Sequence, residues 1–79
     1  MNIKERILEL LKSLEEFYNQ SVNYFDDSEK KKYLPKIREH QLYINQTYEK
    51  VNGISPSTEK GIEELVRIHS EILKKYFSK

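Results

Sequence analysis

Apolar residues recur every three or four positions along most of this chain, and this spacing constrains the fold more than any other feature. The first such run is Ile3, Ile7, Leu10, Leu14, Phe17 and Tyr24. Steps of three and four place side chains on one face of an α-helix, whereas a strand would scatter them over both faces. Two later runs follow the same rule, so the sequence predicts an all-α fold.

Capping signals divide the chain into three predicted helices, at about 3–25, 32–52 and 56–77. Asn2 is a good N-cap for the first helix. Pro35 complicates the second helix, because a proline inside a helix removes a backbone hydrogen bond. We therefore expect the second helix to start near 32–35. Asp26 and Glu29 have the spacing of a capping box, however, and would allow one longer helix kinked at Pro35.

The turn between the second and third predicted helices carries its own signals. The pair Asn52-Gly53 is typical of a helix C-terminus, where glycine can take the left-handed conformation. Ser55 and Pro56 suit the N-cap and the first helical position of the third helix. Gly61 is expected to weaken that helix by about 1 kcal/mol relative to alanine.

Each predicted helix has one apolar face. In the first helix a second stripe widens the run given above and leaves Leu8 outside it; this stripe is Leu11, Tyr18 and Phe25. The second predicted face is Leu34, Ile37, Gln41, Ile44, Tyr48 and Val51. The third predicted face is Ile62, Leu65, Val66, His69, Ile72, Leu73, Tyr76 and Phe77, with Ile68 at one edge.

Short turns between consecutive helices predict antiparallel neighbours. We therefore expect residues 1–79 to form a single helical domain, an antiparallel (up-down-up) three-helix bundle that is either monomeric or dimeric. The main alternative is a helical hairpin whose long arms pair with a second chain. A chain of 79 residues buries only about 60% of its unfolded surface, so we expect marginal stability or support from a partner.

The first and third helices carry more apolar surface than a closed bundle needs. Their apolar arcs are roughly 160° and 180° wide, against roughly 100° for the second helix. Leu8, Leu42 and Tyr43 lie off the core stripes, and Tyr24 has the amphipathic character common in interfaces. We therefore predict a regulator, inhibitor or adaptor that binds another protein, or a second copy of itself, through Leu8, Tyr24, Leu42 and Tyr43.

A basic cluster stands at the start of the second helix and consists of Lys30, Lys31, Lys32, Lys36 and Arg38. It offers an alternative function as a weak anion-binding or nucleic-acid-binding module, because helix N-termini already attract phosphate. Acidic residues directly before the cluster offset its charge. The chain as a whole has 14 basic and 13 acidic residues, and this balance makes nucleic acid the less favoured partner.

No residue pattern indicates an enzyme or a bound cofactor. The chain has no cysteine, which excludes disulfides and Cys-ligated metal sites, and it has no glycine-rich phosphate loop. His40 and His69 are expected to be core-edge residues rather than metal ligands. There is neither an apolar run of about 18 residues nor a signal-peptide pattern at the charged N-terminus. These features favour a cytoplasmic protein.

Two short stretches resemble known families. Tyr33-Leu34-Pro35-Lys36-Ile37, with the later Ile72-Leu73-Lys74-Lys75-Tyr76, resembles the small cytoplasmic immunity proteins of bacteriocin producers. That resemblance implies a helical bundle that protects a cell from its own peptide toxin, with a membrane receptor as partner. Ser70-Glu71-Ile72-Leu73 is similar to a phosphatase family of sporulation regulators. The signature of that family has Asp directly after Leu, whereas this chain has Lys74, so the resemblance does not imply phosphatase activity.

Overall fold

The computed structural model describes residues 2–78, which form three α-helices and no strand. The helices are α1 (Ile3–Ser21), α2 (Asp27–Asn52) and α3 (Glu59–Ile72). A short 3₁₀ turn, Val22–Tyr24, follows α1, and a π-helical segment, Leu73–Phe77, continues α3. The predicted all-α three-helix bundle is confirmed.

Contacts between the helices establish the up-down-up arrangement. The side chain of Gln41 in α2 donates a hydrogen bond to Asn19 near the end of α1 (2.9 Å). Lys4 at the start of α1 reaches past the end of α2, where its Nζ donates to the carbonyl of Ile54 (2.9 Å). The rings of Tyr18 and Tyr76 lie 6.2 Å apart, so the ends of α1 and the π-helical segment meet. Helix α2 is therefore antiparallel to both of its neighbours.

The N-cap of α1 is Asn2, as predicted, and its side chain accepts a hydrogen bond from the backbone N–H of Glu5 (3.0 Å). Helix α2 begins at Asp27, so the predicted start near 32–35 is wrong. The reason is the capping box: Asp26 accepts from the backbone N–H of Glu29 (2.8 Å), and Glu29 accepts from that of Asp26 (3.2 Å). Pro35 is exposed within the helix, where water can satisfy the carbonyl that its ring leaves unpaired.

Helix α3 begins at Glu59, and its N-cap is Thr58 rather than the predicted Ser55. The Thr58 hydroxyl accepts a hydrogen bond from the backbone N–H of Gly61 (3.0 Å). Gly61 is buried because the chain folds back over it: a Cβ added there would lie 1.9 Å from the carbonyl oxygen of Ser55. Glycine at this position is therefore a packing requirement and not only a weak helix former.

Helix α2 ends at Asn52 with Gly53 as its C-cap, as the sequence predicts, but Gly53 is right-handed, with φ −84° and ψ −4°. The backbone N–H of Gly53 donates a hydrogen bond to the carbonyl of Lys50 (3.2 Å), and the N–H of Ile54 donates one to the carbonyl of Val51 (3.1 Å). These bonds span three residues and tighten the last turn of α2, which ends the helix without a left-handed residue.

The hydrophobic core lies along the common axis of the three helices. Its buried residues are Ile7, Leu11, Leu14, Ile44, Val51, Leu65, Ile68 and Ile72. Ile68, predicted at the edge of the α3 face, is in this core. Thr47 is also buried and is tolerated there because its hydroxyl donates to the carbonyl of Tyr43 (2.7 Å).

The bundle is elongated, with principal extents of 48 × 25 × 19 Å. Its radius of gyration is 14.5 Å, whereas a compact chain of this length would have one of about 12 Å. The elongation comes from α2, because its first turns lie beyond the part of the helix that packs against α3. There Phe25, just after the 3₁₀ turn, stacks on Tyr33 with ring centroids 5.3 Å apart.

Candidate protein-binding surface

Helix α3 has two apolar faces, of which only one is buried. Leu65, Ile68 and Ile72 point into the core. A second row is exposed and lies roughly 100° further around the helix axis. We call this row the outer stripe; it consists of Ile62, Val66, Leu73 and Phe77. Val66 is 46% exposed and Phe77 is 52% exposed. The sequence placed these four residues and the buried ones in a single apolar face, which the structure divides into a buried part and an exposed part.

The outer stripe is exposed because only two helices pack against α3. The apolar arc of α3 is as wide as its spacing predicts, but α1 and α2 cover only one side of it. The π-helical segment preserves this division at the end of the chain, because a π turn shifts the rotational register of the helix. Tyr76 turns inward and is half-buried there, whereas the adjacent Phe77 continues the outer stripe.

Helix α1 adds apolar side chains beside the outer stripe. Phe17, part of the predicted apolar face of the first helix, is 63% exposed, and Leu10 is half-buried. Two shallow depressions run between α1 and α3. One, of about 290 Å³, is lined by Arg6, Glu9, Leu10, Ser13, His69 and Leu73. The other, of about 300 Å³, is lined by Ser13, Leu14, Phe17, Tyr18, Tyr76 and Phe77. They share Ser13 and form one α1–α3 groove.

The α1–α3 groove has apolar walls and a charged rim. Arg6 and Glu9 border it on the α1 side. On α3, the helical spacing places Glu63 and Lys74 along the far edge of the outer stripe, and both are exposed. Arg67 lies between them along the helix, just beyond this edge, and pairs with Glu64 and with Glu71 (2.6 Å). These pairs offset its charge, so Glu63 and Lys74 give the rim an acidic and a basic end along α3.

An aromatic cluster lies beneath one end of the α1–α3 groove and consists of Tyr18, His40, Tyr43 and Tyr76. The rings of Tyr18 and His40 are stacked, with centroids 4.9 Å apart and an angle of 9° between planes. Nδ1 of His40 lies 2.9 Å from the hydroxyl of Tyr76, within hydrogen-bonding distance. The ring of Tyr43 lies 6.0 Å from that of Tyr76, and the Lys75 ammonium sits 4.9 Å from the centre of the Tyr43 ring. The cluster anchors the π-helical segment to α1 and α2.

Burial and neighbouring charge shift the pKa values in this cluster. Burial raises the pKa of Tyr76 to about 12 and raises that of Tyr18. Burial, together with the positive charges of Lys75 and Lys36, lowers the pKa of His40 below its usual value. The neutral forms of all three rings are therefore favoured near neutral pH, which suits half-buried rings that pack against one another.

The four predicted partner-binding residues do not form one surface. Leu8 is half-buried and packs against the core, lining a depression with Tyr48, so its placement outside the apolar face is wrong. Tyr43 is half-buried in the aromatic cluster. Tyr24 is 83% exposed beyond the end of α1, and Leu42 is 58% exposed on α2. A partner role for any of the four stays a prediction.

The structure divides the predicted basic cluster. Lys30, Lys31 and Arg38 border one shallow depression on α2. Lys32 instead lies over the ring of Tyr33 (5.3 Å), and Lys36 is on the side facing His40. Within residues 2–78 none of the five forms an ion pair with a carboxylate.

No three carboxylate or imidazole side chains between residues 2 and 78 are close enough together to hold a metal ion. Within the same range no helix combines the length and the apolar character needed to cross a bilayer.

The sequence signal that could have located the outer stripe was the width of the α3 arc, which exceeds what two neighbouring helices can cover.

Comparison with known proteins gives no match to any family model, curated protein or solved structure. The function is therefore inferred from the exposed surfaces of the bundle.

Proposed function

We propose that this chain is a non-enzymatic protein-binding module, a regulator, inhibitor or adaptor, whose contact surface is the α1–α3 groove with the outer stripe. The observation that carries this proposal is the exposure of Ile62, Val66, Leu73 and Phe77 on one side of α3. Isolated exposed apolar residues are normal, but several on one side of a helix, bordered by charged residues, are typical of an interaction site.

The energetics favour an occupied surface. Covering a large apolar side chain completely contributes on the order of 1–3 kcal/mol. The outer stripe and Phe17 together offer five such side chains, each between 38% and 63% exposed, so covering each contributes about half of that value toward the costs of association. The rim of Arg6, Glu9 and other charged residues would stay hydrated around the apolar centre, as in most protein interfaces.

The α2 face supports binding less well. Leu42 is exposed there among polar and charged positions, and its exposed apolar neighbours on that face are too few to form a row. An isolated exposed leucine of this kind needs no partner to explain it. The α1–α3 groove is therefore the contact surface proposed, with Leu42 and Tyr24 as internal reference positions.

Hydroxyl-radical footprinting in cells and on dilute purified protein tests the proposal. Side chains react in proportion to their contact with water. Phe17 and Phe77 should react in the dilute protein and be protected in cells, whereas Tyr24 and Leu42 should react in both. Equal reactivity of Phe17 and Phe77 in the two samples would overturn the proposal, and protection of Leu42 and Tyr24 instead would move the contact surface to the other side of the bundle.

A second candidate function is anion binding at the α2 depression. Lys30, Lys31 and Arg38 converge there around Leu34 and Pro35. Binding of a phosphate-rich oligonucleotide would weaken steeply with salt. A titration with single-stranded oligonucleotide should therefore lose affinity as salt rises, and Arg38→Gln should reduce that salt slope. No binding at low salt would exclude this function.

A further inference from the structure

We infer that the occupant of the outer stripe is a second copy of this chain, with the two α3 helices packed antiparallel about a two-fold axis between His69 and Ser70. This inference rests on the proposed function and names its partner. It is drawn from the spacing of the exposed apolar residues and from the charges beside them.

The outer stripe is symmetric about its own centre. Ile62 and Phe77 are equally far from the midpoint between His69 and Ser70, and so are Val66 and Leu73. In an antiparallel pair of identical helices, Ile62 therefore meets the partner's Phe77 and Val66 meets the partner's Leu73. Every exposed apolar side chain of the stripe gains an apolar counterpart, which is the self-complementarity that a two-fold interface requires.

The charged edge of the stripe favours the same orientation. Glu63 and Lys74 lie along one edge of the outer stripe, near its opposite ends. An antiparallel pair brings Glu63 close to the partner's Lys74. A parallel pair would place this edge of the two helices on opposite sides of the interface, so Glu63 would not meet the partner's Lys74. These exposed pairs select orientation more than they add affinity.

The centre of the stripe permits close approach. Ser70 is small and exposed, so its side chain leaves room at the axis, and the half-buried His69 lines the groove on the α1 side. Helices in contact have axes roughly 8–10 Å apart, and the smaller side chains allow the closer distances. The larger residues, Phe77 and Ile62, lie at the ends, where they extend the interface toward Phe17 of α1.

Single-cysteine variants test this arrangement, because the natural chain has no cysteine. A mixture of Val66→Cys and Leu73→Cys chains should form a mixed disulfide in high yield under mild oxidation. Val66→Cys alone should not, since two copies of position 66 would lie about 10 Å apart along the axis. Ser57→Cys, in the exposed turn before α3, is the control for random collision.

Light scattering supplies the second readout. The natural chain should have twice the mass of one chain, and Val66→Asp should return it to one chain with unchanged helical circular dichroism. Val66→Lys repeats the test with the opposite charge, so that a folding defect in one variant does not decide the result.

Three outcomes would overturn the inference: a natural chain that is monomeric at every concentration, equal cross-linking of Val66→Cys alone and of the mixture, or a dimer that survives both Val66 variants. If the chain is monomeric but Phe17 and Phe77 are still protected in cells, the proposed function stands and only the second copy is excluded. If protection is also absent, both proposals fail.

Discussion

The hydroxyl of Tyr76 lies 2.9 Å from Nδ1 of His40, and this contact joins the last turn of the chain to the middle of α2. It fixes the direction of the π-helical segment, because Tyr76 can reach His40 only if its side chain turns inward. The next residue, Phe77, is then left facing outward. The hydrogen bond therefore stabilises the fold and also helps to position one end of the outer stripe.

Tyr76→Phe removes the hydroxyl and keeps the ring. We expect the free energy of unfolding to fall by about 0.5–1.5 kcal/mol, the usual net contribution of such a hydrogen bond. Urea unfolding followed by circular dichroism measures the change. Tyr24→Phe is the matched control, since Tyr24 is almost fully exposed, and it should have no effect. An equal effect of the two variants would mean that the His40 contact does not stabilise the protein.

Stability should fall when the pH drops below about 6.5. The folded pKa of His40 is lowered, first by burial and then by Lys75 and Lys36, although Glu39 opposes this. Unfolded His40 titrates near 6.5 and therefore binds a proton before the folded form does. Its contribution is fully present above that value and is lost as pH falls toward the lowered pKa.

The measurement for His40 is the free energy of unfolding at about pH 7.5 and about pH 5.5, for the natural chain and for His40→Gln. The natural chain should lose more stability than the variant over this interval, because all other titratable groups are common to both chains. The same loss in both would show that His40 does not carry the pH dependence.

Gly61→Ala should destabilise the protein in spite of the higher helix propensity of alanine. The added Cβ would meet the carbonyl oxygen of Ser55 at 1.9 Å, so the turn before α3 must move, at a cost on the order of 1–3 kcal/mol. Gly53→Ala is the matched control, because its Cβ would meet only ordinary contacts of 3.6 Å or more. Thermal unfolding should show a lower melting temperature for Gly61→Ala and an unchanged or slightly higher one for Gly53→Ala.

Thr58→Ala should cost about 1 kcal/mol, because it removes the N-cap of α3 and leaves the N–H of Gly61 without its partner. Ser55→Ala should cost less, since the Ser55 hydroxyl accepts only from Ser57 in the turn (3.2 Å). Urea unfolding of the two variants gives the comparison. A larger loss for Ser55→Ala would return the N-cap to the position that the sequence predicted.

Local signals predicted the parts of the fold that depend on a few neighbouring residues. Asn2 caps α1, and Asp26 forms a capping box with Glu29, because each of these contacts spans three positions. The start of α3 was harder, since Ser55 and Thr58 are both good caps. The choice between them depends on how closely the turn approaches Gly61, which no local pattern contains.

The sequence indicated the kind of candidate site, an exposed apolar surface, but not its position on the bundle. The width of the α3 arc indicated surplus apolar surface, and α3 indeed exposes one row of it. Which half of the arc faces inward depends on where α1 and α2 pack, so the spacing placed Ile68 at the edge of the face and did not separate Val66 from the buried residues. For the same reason Leu8 was placed on the outside, although it packs against the core beside Tyr48.

If α3 packs into the bundle with one apolar face and binds a partner protein with the other, the two sides of the helix should cross-link differently. Photo-cross-linking from a benzophenone amino acid at Leu73, with Lys60 on the polar side of α3 as the matched position, tests it most directly. We expect one adduct of defined mass from position 73, none from position 60, and loss of the adduct when Val66→Asp is added. No adduct from position 73, or the same adducts from both positions, would contradict it.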